Sequence, residues 1–437
     1  MDSSLLLAPF FRHLAECSTA RWTGRVTKAV GNIVESEGPF CALGEQCEIV
    51  GAAGRSYAGE IVGFRGSTVL SMTLAKPDGI RYGDRVTTWG ARPSLRVGKG
   101  LLGRVIDGAG NVLDGRGSYP AREHWPLDSP APLPLERVSI REPLGCGIRA
   151  IDGFLTCGRG QRLGIFGGSG VGKSTLVGMM ARNTAADLTV LALVGERGRE
   201  VREFLEGTLG EEGLKRSVVV VSTSDQSPLL RIRAGLAATA VAEYFCAQGK
   251  HVLLVVDSLT RFAMAQREIG LAAGEPPTAK GYTPSVFSLL ARLVERAGHF
   301  GTGSITAFYS VLMEGDDQLD PLVDAVRALL DGHIVLDRRL SARGHFPSIS
   351  ILDSLSRLMP AVCSREQVDK AQRLRSLLAS YADAEDLIRV GAYQKGSDPE
   401  LDQAIAALPA IKKFLQQRAD ENTSLDETMT ALQALLD

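Results

Sequence analysis

Between residues 22 and 91, short apolar runs alternate with glycine-containing turns, as in Gly59–Phe64, Thr68–Met72 and Tyr82–Val86. Strand-length runs at such close spacing predict a small all-β barrel or sandwich. Further on, the runs Gln161–Phe166, Leu188–Val194, Ser217–Ser222, His251–Val256, Ser304–Tyr309 and His333–Asp337 alternate with stretches of helical period. Continuously apolar strands separated by helices predict a parallel sheet covered on both faces, an α/β domain. Between these two textures lie Pro120, Pro126, Pro130, Pro132, Pro134 and Pro143. They forbid a continuous helix or central strand, so residues 118–143 read as an extended strap. Beyond residue 360, Leu401, Ile405, Leu408 and Leu415 share one helical face, and Leu425, Met429, Leu432 and Leu436 share another. Ser397-Asp398-Pro399-Glu400 and Ser424-Leu425-Asp426-Glu427 fit capping boxes at the starts of those helices. The stripes serve as the core of a helical domain, with partner binding as the alternative. The expected organisation is an amphipathic segment at 1–20, a β-barrel at 21–92, an α/β domain at 93–360 that includes the strap, and a helical domain at 361–437.

Composition narrows the class. A chain of 437 residues exceeds one ordinary domain. Its 44% hydrophobic and 23% charged residues are those of a soluble globular protein. A formal net charge of −1 carries no nucleic-acid footprint. The seven cysteines include no Cys-x-x-Cys pair, which argues against a zinc site or redox motif and fits reduced thiols in a cytosol. No apolar run approaches the roughly 20 residues of a membrane helix. Within Met1–Ala20, Leu5-Leu6-Leu7 and Phe10-Phe11 have no basic region ahead of them, unlike a signal peptide. They suit a helix packed on its own domain, or one docking to a membrane or partner.

The chemistry is carried by Gly167-Gly168-Ser169-Gly170-Val171-Gly172-Lys173-Ser174, a complete phosphate-loop motif between a strand and the helix-forming stretch Thr175–Arg182. Glycines let backbone N–H groups converge on phosphates, and the helix N-terminus adds positive potential. In that arrangement Gly168 to Thr175 cradle ATP, Lys173 reaches the β- and γ-phosphates, and Ser174 offers its hydroxyl to Mg2+. The strand His251–Val256 ends at Asp257, placed to reach the water shell of the metal. A second strand ends in Glu196-Arg197, an acid beside a base, where Glu196 is the candidate to orient the attacking water and Arg197 is a candidate catalytic residue beside it. An ordinary surface pair of Glu196 with Arg197 is the alternative.

These residues also carry a family likeness. Gly195-Glu196-Arg197-Gly198-Arg199-Glu200, Asp257-Ser258-Leu259-Thr260-Arg261, and Gly274-Glu275-Pro276-Pro277 through Gly281-Tyr282-Thr283-Pro284-Ser285 resemble the rotary-ATPase superfamily. Glu314-Gly315-Asp316-Asp317, Asp331-Gly332-His333-Ile334-Val335-Leu336, and Gly391-Ala392-Tyr393 through Gly396-Ser397-Asp398-Pro399 resemble its flagellar and type III secretion export branch. The resemblance implies a RecA-like nucleotide domain between an N-terminal β-barrel and a helical C-terminal domain, assembled as a homo-hexamer around a pore. It also implies that Arg357, in Ser354-Leu355-Ser356-Arg357, is an arginine finger for a neighbouring subunit. Phe346 would lie against adenine, with Tyr393 as a second candidate. Catalytic subunits of the superfamily resemble this chain in carrying Glu at the Glu196 position, where non-catalytic partners carry Gln.

The implied function is Mg2+-dependent ATP hydrolysis driving chaperone release, substrate unfolding and protein export. The implied partners are export-gate proteins, a central stalk protein and chaperone–substrate complexes. The implied location is the cytoplasm, peripheral at the inner face of the cytoplasmic membrane. Two other readings remain at this level. A Rho-like RNA translocase is disfavoured because Lys and Arg of the first region are interleaved with acids and accompanied by few aromatics of exposed type for base stacking. A subunit of an ATP synthase or vacuolar-type ATPase is the other. The motifs do not separate flagellar from virulence-type systems, with the flagellar reading preferred.

Overall fold

The computed structural model describes residues 20–51, 54–313 and 320–435. The expected N-terminal amphipathic segment, the Glu314-Gly315-Asp316-Asp317 motif and Leu436 lie outside them.

Strands β1 (Trp22–Val30), β2 (Ile33–Glu37), β3 (Gln46–Val50), β4 (Ser56–Arg65), β5 (Thr68–Thr73) and β6 (Arg85–Thr88) close into a barrel in the order β1-β2-β5-β4-β3-β6. Alternation does the sorting: Val26, Val34, Cys47, Ile49, Tyr57, Ile61, Val69 and Val86 point inward and pack together. The expectation of a barrel or sandwich resolves to the barrel, which leaves no free sheet edge. Gly59 is required where β4 crosses β5, because a Cβ there would sit 2.6 Å from the Met72 carbonyl oxygen.

The strap is more ordered than a linker. β7 (Ser94–Val97) pairs with β9 (Glu123–Pro126), and β8 (Val105–Asp107) joins the edge of the large sheet. Several side-chain contacts pin the strap to the α/β domain. Trp125 donates its indole N–H to Glu243 at 3.0 Å, and Arg137 donates to the Ala297 carbonyl at 2.9 Å. After it, β10 (Pro143–Leu144) and β11 (Cys157–Gly158) form a short antiparallel pair.

The central sheet contains β12 (Arg162–Gly167), β13 (Leu188–Glu196), β14 (Ser217–Thr223), β15 (His251–Asp257), β17 (Ser304–Leu312), β18 (Gly332–Leu336) and β19 (Ile349–Ser356), with the short β16 (Gly298–His299) paired to β17. Its order is β19-β18-β12-β17-β15-β13-β14-β8. All six predicted runs are strands of this sheet. From β8 to β18 neighbouring strands along this order run parallel, whereas β19 is antiparallel to β18. Successive residues of β13 serve opposite faces. Val190, Ala192 and Val194 pack toward the helices Pro228–Ala247 and Leu259–Ala273, while Leu191 and Leu193 pack toward Leu176 and Met180 of the helix Lys173–Asn183. Helices therefore cover both faces, which is why these strands read as unbroken apolar runs.

The helical domain contributes Arg365–Arg389, Pro399–Leu415 and Leu425–Gln433. Leu377, Ala384, Leu401 and Ala404 join the first two. Ile411, Phe414, Leu415 and Leu432 instead pack with Ile151 and Phe154 of the α/β domain, so the stripes extend the neighbouring core as well as their own. The second capping box forms as expected: Ser424 Oγ accepts from Glu427 N at 3.2 Å, and Glu427 Oε2 accepts from Ser424 N at 2.8 Å. The first does not form. Asp398 is the cap, accepting from Glu400 N at 2.9 Å and Leu401 N at 3.2 Å, while Ser397 Oγ turns to the Gln394 carbonyl. Pro399 fits the first helical position, which moves the cap one residue past the serine.

Candidate functional site: a phosphate loop at the carboxyl end of β12

β12 ends at Gly167, and the chain turns through Gly168–Gly172 into the helix Lys173–Asn183. Gly170 and Gly172 have φ of 80° and 90°, the left-handed region that a Cβ disfavours. Ser169, Gly170, Ser174 and Thr175 are exposed, whereas Gly168, Val171 and Lys173 are buried. The loop thus presents the unpaired first-turn N–H groups of a helix to solvent, a ready anion site. Ser348 Oγ donates to the Val171 carbonyl at 2.6 Å and ties the loop to the segment carrying Phe346.

Lys173 Nζ lies 2.9 Å from Asp257 Oδ1, with both side chains nearly inaccessible. Register sets this contact. β15 and β17 pair through Val256 and Tyr309, which brings the next residues, Asp257 and Ser310, together, and Ser310 Oγ donates to Asp257 Oδ1. Glu196 closes the group from β13. Pairing of β13 with β14 slips between Val194 and Glu196, and Gly195 sits at the slip with φ of 71°. A Cβ on Gly195 would lie 2.7 Å from Arg261 Cδ, so glycine is needed both for the turn and for the close approach of that arginine. Arg261 Nε stands 3.7 Å from Glu196 Oε1. Burial, and then the Asp257 carboxylate, push the Glu196 carboxyl up to about 7, against the pull of Lys173 and Arg261. Arg197 faces solvent and pairs with Glu200 at 3.3 Å. The guanidinium beside Glu196 therefore belongs to Arg261, a residue present in the quoted motif but given no role by sequence reasoning.

Beside the loop opens a cavity of about 700 Å³, bounded by Gly172, Thr175 and Met179 on one side and by Phe346, Pro347 and residues 416–421 on the other. That volume suits a nucleoside-sized ligand. The Phe346 ring lies 3.6 Å from the place of a Gly172 Cβ, and its carbonyl accepts from Gln417 N at 2.9 Å. Tyr393 is not on this cavity. Its hydroxyl donates to Asp402 at 2.9 Å and its ring packs beside Leu401 and Ala404 in the helical domain. The wall at 416–421 was not foreseen, since it is set by Gln417. This buried side chain accepts from Arg149 N at 2.9 Å and donates to the Gly147 carbonyl at 2.8 Å, and no short motif marks it.

Arg357 is elsewhere. Its backbone N donates to the Asp331 carbonyl at 3.0 Å, next to the start of β12, and its exposed guanidinium makes no hydrogen bond or ion pair with the described residues. Because β19 is antiparallel to β18, Ser356 pairs with Gly332 at the amino end of the parallel strands. The six residues of β12 separate that end from the phosphate loop, roughly 20 Å at the rise of a strand.

This arrangement defines a P-loop nucleotide-hydrolysing domain of the ATP synthase type. Residues 147–356 match the nucleotide-binding domain of the ATP synthase alpha/beta family, and residues 26–90 match that family's β-barrel domain. Residues 363–434 match the T3SS EscN ATPase C-terminal domain. The chain is 53% identical to the flagellum-specific ATP synthase of Pseudomonas aeruginosa, over 94% of this chain and 93% of that protein. It is 46% identical to the type 3 secretion system ATPase of Xanthomonas euvesicatoria, over 100% of this chain and 99% of that one. The assembled ATPase EscN of the enteropathogenic E. coli type III secretion system superposes with a TM-score of 0.89 at 42% identity, covering 95% of this chain and 100% of that chain. The chain belongs to the family of flagellar and type III secretion ATPases.

Glu196→Gln tests the division of labour within the pocket. It keeps shape but removes the charge that would polarise water, so ATP binding should persist while turnover falls by about 10²–10⁴-fold. Loss of ATP binding by calorimetry would make Glu196 a structural residue instead. If Glu196 orients the water, its ionised carboxylate is the active form, and burial and Asp257 raise its pKa to about 7. Hence kcat/KM should rise with pH through neutrality and fall below it, since that ratio reports the free enzyme.

Proposed function

We propose that the chain hydrolyses Mg-ATP as a homo-hexamer whose catalytic sites lie between subunits, and that this hydrolysis serves protein export at a flagellar or type III apparatus. The observation that carries the proposal is the placement of Arg357 at the opposite end of β12 from its own phosphate loop. A finger so placed is out of reach of its own ATP and available to a neighbour's.

Within the pocket, residues 168–175 hold the phosphates, Lys173 neutralises the γ-phosphate, and Phe346 flanks the base. Exposed Ser174 and the buried carboxylate of Asp257 form a hard oxygen pair suited to Mg2+ and its waters, and the bound metal would neutralise charge between the β- and γ-phosphates. Asp257 holds the Lys173 ammonium at 2.9 Å; bound phosphate would draw that ammonium away and leave the carboxylate available to Mg2+ and its waters. Glu196, oriented by Arg261, aligns water against the γ-phosphate. Tyr393 has no part in this reading.

A solved complex of EscN with its central stalk EscO resembles this chain at TM-score 0.87. A stalk protein in the pore, export-gate proteins and chaperone–substrate complexes are accordingly the partners proposed here, with chaperone release and substrate unfolding as the work done. No helix among the described residues is long and apolar enough to cross a membrane. The proposed location is cytoplasmic, at the inner face of the membrane, through the export apparatus. The working units are 21–92, 93–360 and 361–437.

A shared site makes activity depend on assembly. ATP turnover per chain should rise with protein concentration, in step with ring formation followed by light scattering. Turnover per chain that stays constant from dilute monomer to ring would overturn the proposal.

A further inference from the structure

Arg357 leaves the sheet from a backbone held at every turn. Its N–H is bound by the Asp331 carbonyl at 3.0 Å, and Asp331 N donates to the Arg162 carbonyl at 2.9 Å. The Asp331 side chain grips the same arginine: Oδ2 accepts from Arg162 N at 3.0 Å and from Nε at 3.1 Å, and Oδ1 accepts from Nη2 at 3.2 Å. Gln161, with no exposed surface, closes the arrangement from beneath. Its Nε2 donates both to the Asp331 carbonyl at 3.2 Å and to Ser356 Oγ at 3.1 Å, and its Oε1 accepts from Gly158 N at 2.8 Å. Ser356 Oγ in turn donates to the Thr156 carbonyl at 3.0 Å. Gly332 lets β18 and β19 meet here, since a Cβ would lie 2.4 Å from the Leu355 carbonyl oxygen. On the outer side Glu295 holds Arg162 at 2.7 Å and Arg137 of the strap at 2.9 Å.

We propose that Asp331, acting with Arg162 and Gln161, is the positioning residue for the Arg357 finger. It fixes the point and direction from which the guanidinium reaches the neighbouring subunit's γ-phosphate. The proposal rests on the reading of Arg357 as a finger acting in trans. The surroundings of Arg357 support the division of labour: its side chain is exposed and unpaired among the described residues, whereas its backbone N–H is held by the Asp331 carbonyl. A group meant for a partner gains from a rigid base and a free tip, because a displacement of about 1 Å can cost roughly 10²-fold in rate. Asp331 touches neither phosphate nor water in this scheme and acts only through Arg357.

The test sorts the residues by complementation in mixed rings. Asp331→Ala should lower kcat by roughly tenfold or more with ATP affinity unchanged, as expected for a mispositioned catalytic group. Mixed with Glu196→Gln, it should regain activity to the extent that Arg357→Ala does with the same partner, because the Asp331→Ala pocket is then served by an intact finger. Mixed with Arg357→Ala, it should regain none, since both lack a working finger. Wild-type kcat in Asp331→Ala, recovery with Arg357→Ala, or no recovery with Glu196→Gln where Arg357→Ala does recover, would each overturn the proposal and leave the finger standing. Failure of the Arg357→Ala and Glu196→Gln mixture with proven subunit exchange would instead remove the finger reading, and this proposal with it. Should Asp331→Ala not fold, Gln161→Leu is placed in the same mixtures with the same expected outcomes. It removes both Nε2 contacts without altering charge.

Discussion

Lys173→Ala is expected to reduce ATP turnover to background. The substitution acts on the site twice. It removes the ammonium proposed to neutralise the γ-phosphate, and loss of one such electrostatic stabiliser typically costs about 10²–10³-fold or more. It also strips Asp257 of its counter-ion at 2.9 Å, in a pocket where both side chains are almost wholly buried. Lys173 is one of the two charges holding the Glu196 carboxyl down against burial and Asp257. Without it Glu196 is driven further toward its protonated form, so the water-orienting group is weakened as well. Lys173→Arg keeps charge but not the compact shape of an ammonium and is expected to recover little. Folding is monitored separately by circular dichroism, because an unpaired buried carboxylate lowers stability by its own account. A folded Lys173→Ala ring that keeps most wild-type turnover would falsify the site.

Arg357→Ala should also be nearly inactive, losing about 10³–10⁵-fold in turnover if it behaves as arginine fingers do, while continuing to bind ATP. The decisive experiment mixes two inactive proteins. In Arg357→Ala the pocket is intact and the finger absent; in Glu196→Gln the finger is intact and the pocket inactive. Where an Arg357→Ala pocket meets a Glu196→Gln neighbour, one complete site forms although neither parent has any. Mixed rings should therefore hydrolyse ATP at a measurable fraction of the wild-type rate, set by random assortment and by any cooperativity around the ring. A finger acting within its own chain allows no such rescue. The sheet argues the same way, because β12 stands between Arg357 and the phosphate loop it would otherwise have to serve.

The groups gathered at the carboxyl ends of β12, β13 and β15 were legible where chemistry demands a fixed spacing. Lys173, Ser174, Asp257 and Glu196 could be named because a phosphate loop and strand-terminal carboxylates follow from local pattern. The six strands from β12 to β18 that form the middle of the sheet were visible because helices on both faces demand unbroken apolar runs, whereas the short β8 and the half-exposed β19 were not. What escaped notice depends on register between distant strands. Ser310 supports Asp257 only because β15 and β17 align as they do, and Arg261 meets Glu196 only because the slip at Gly195 turns that end of β13. The cavity wall at 416–421 was hidden for a similar reason: Gln417 acts through contacts with residues some 270 positions away. Ser397 misled as a cap because the proline that suits the first helical turn lies two residues beyond it. Local rules find groups that chemistry places in sequence, and miss those that only folding brings together.

The two ends of β12 also dictate how copies of this chain can combine. An isologous pair reciprocates its contacts about one patch, so it joins finger to pocket only where both lie on that patch. A heterologous, head-to-tail pair completes one site. Each subunit added to such a line adds one more, but the terminal finger and the terminal pocket always stay idle. Only closure of the line under cyclic symmetry gives every finger a pocket. A finger acting in trans thus calls for a closed head-to-tail ring, a consequence of placing Arg357 and Lys173 at opposite ends of β12.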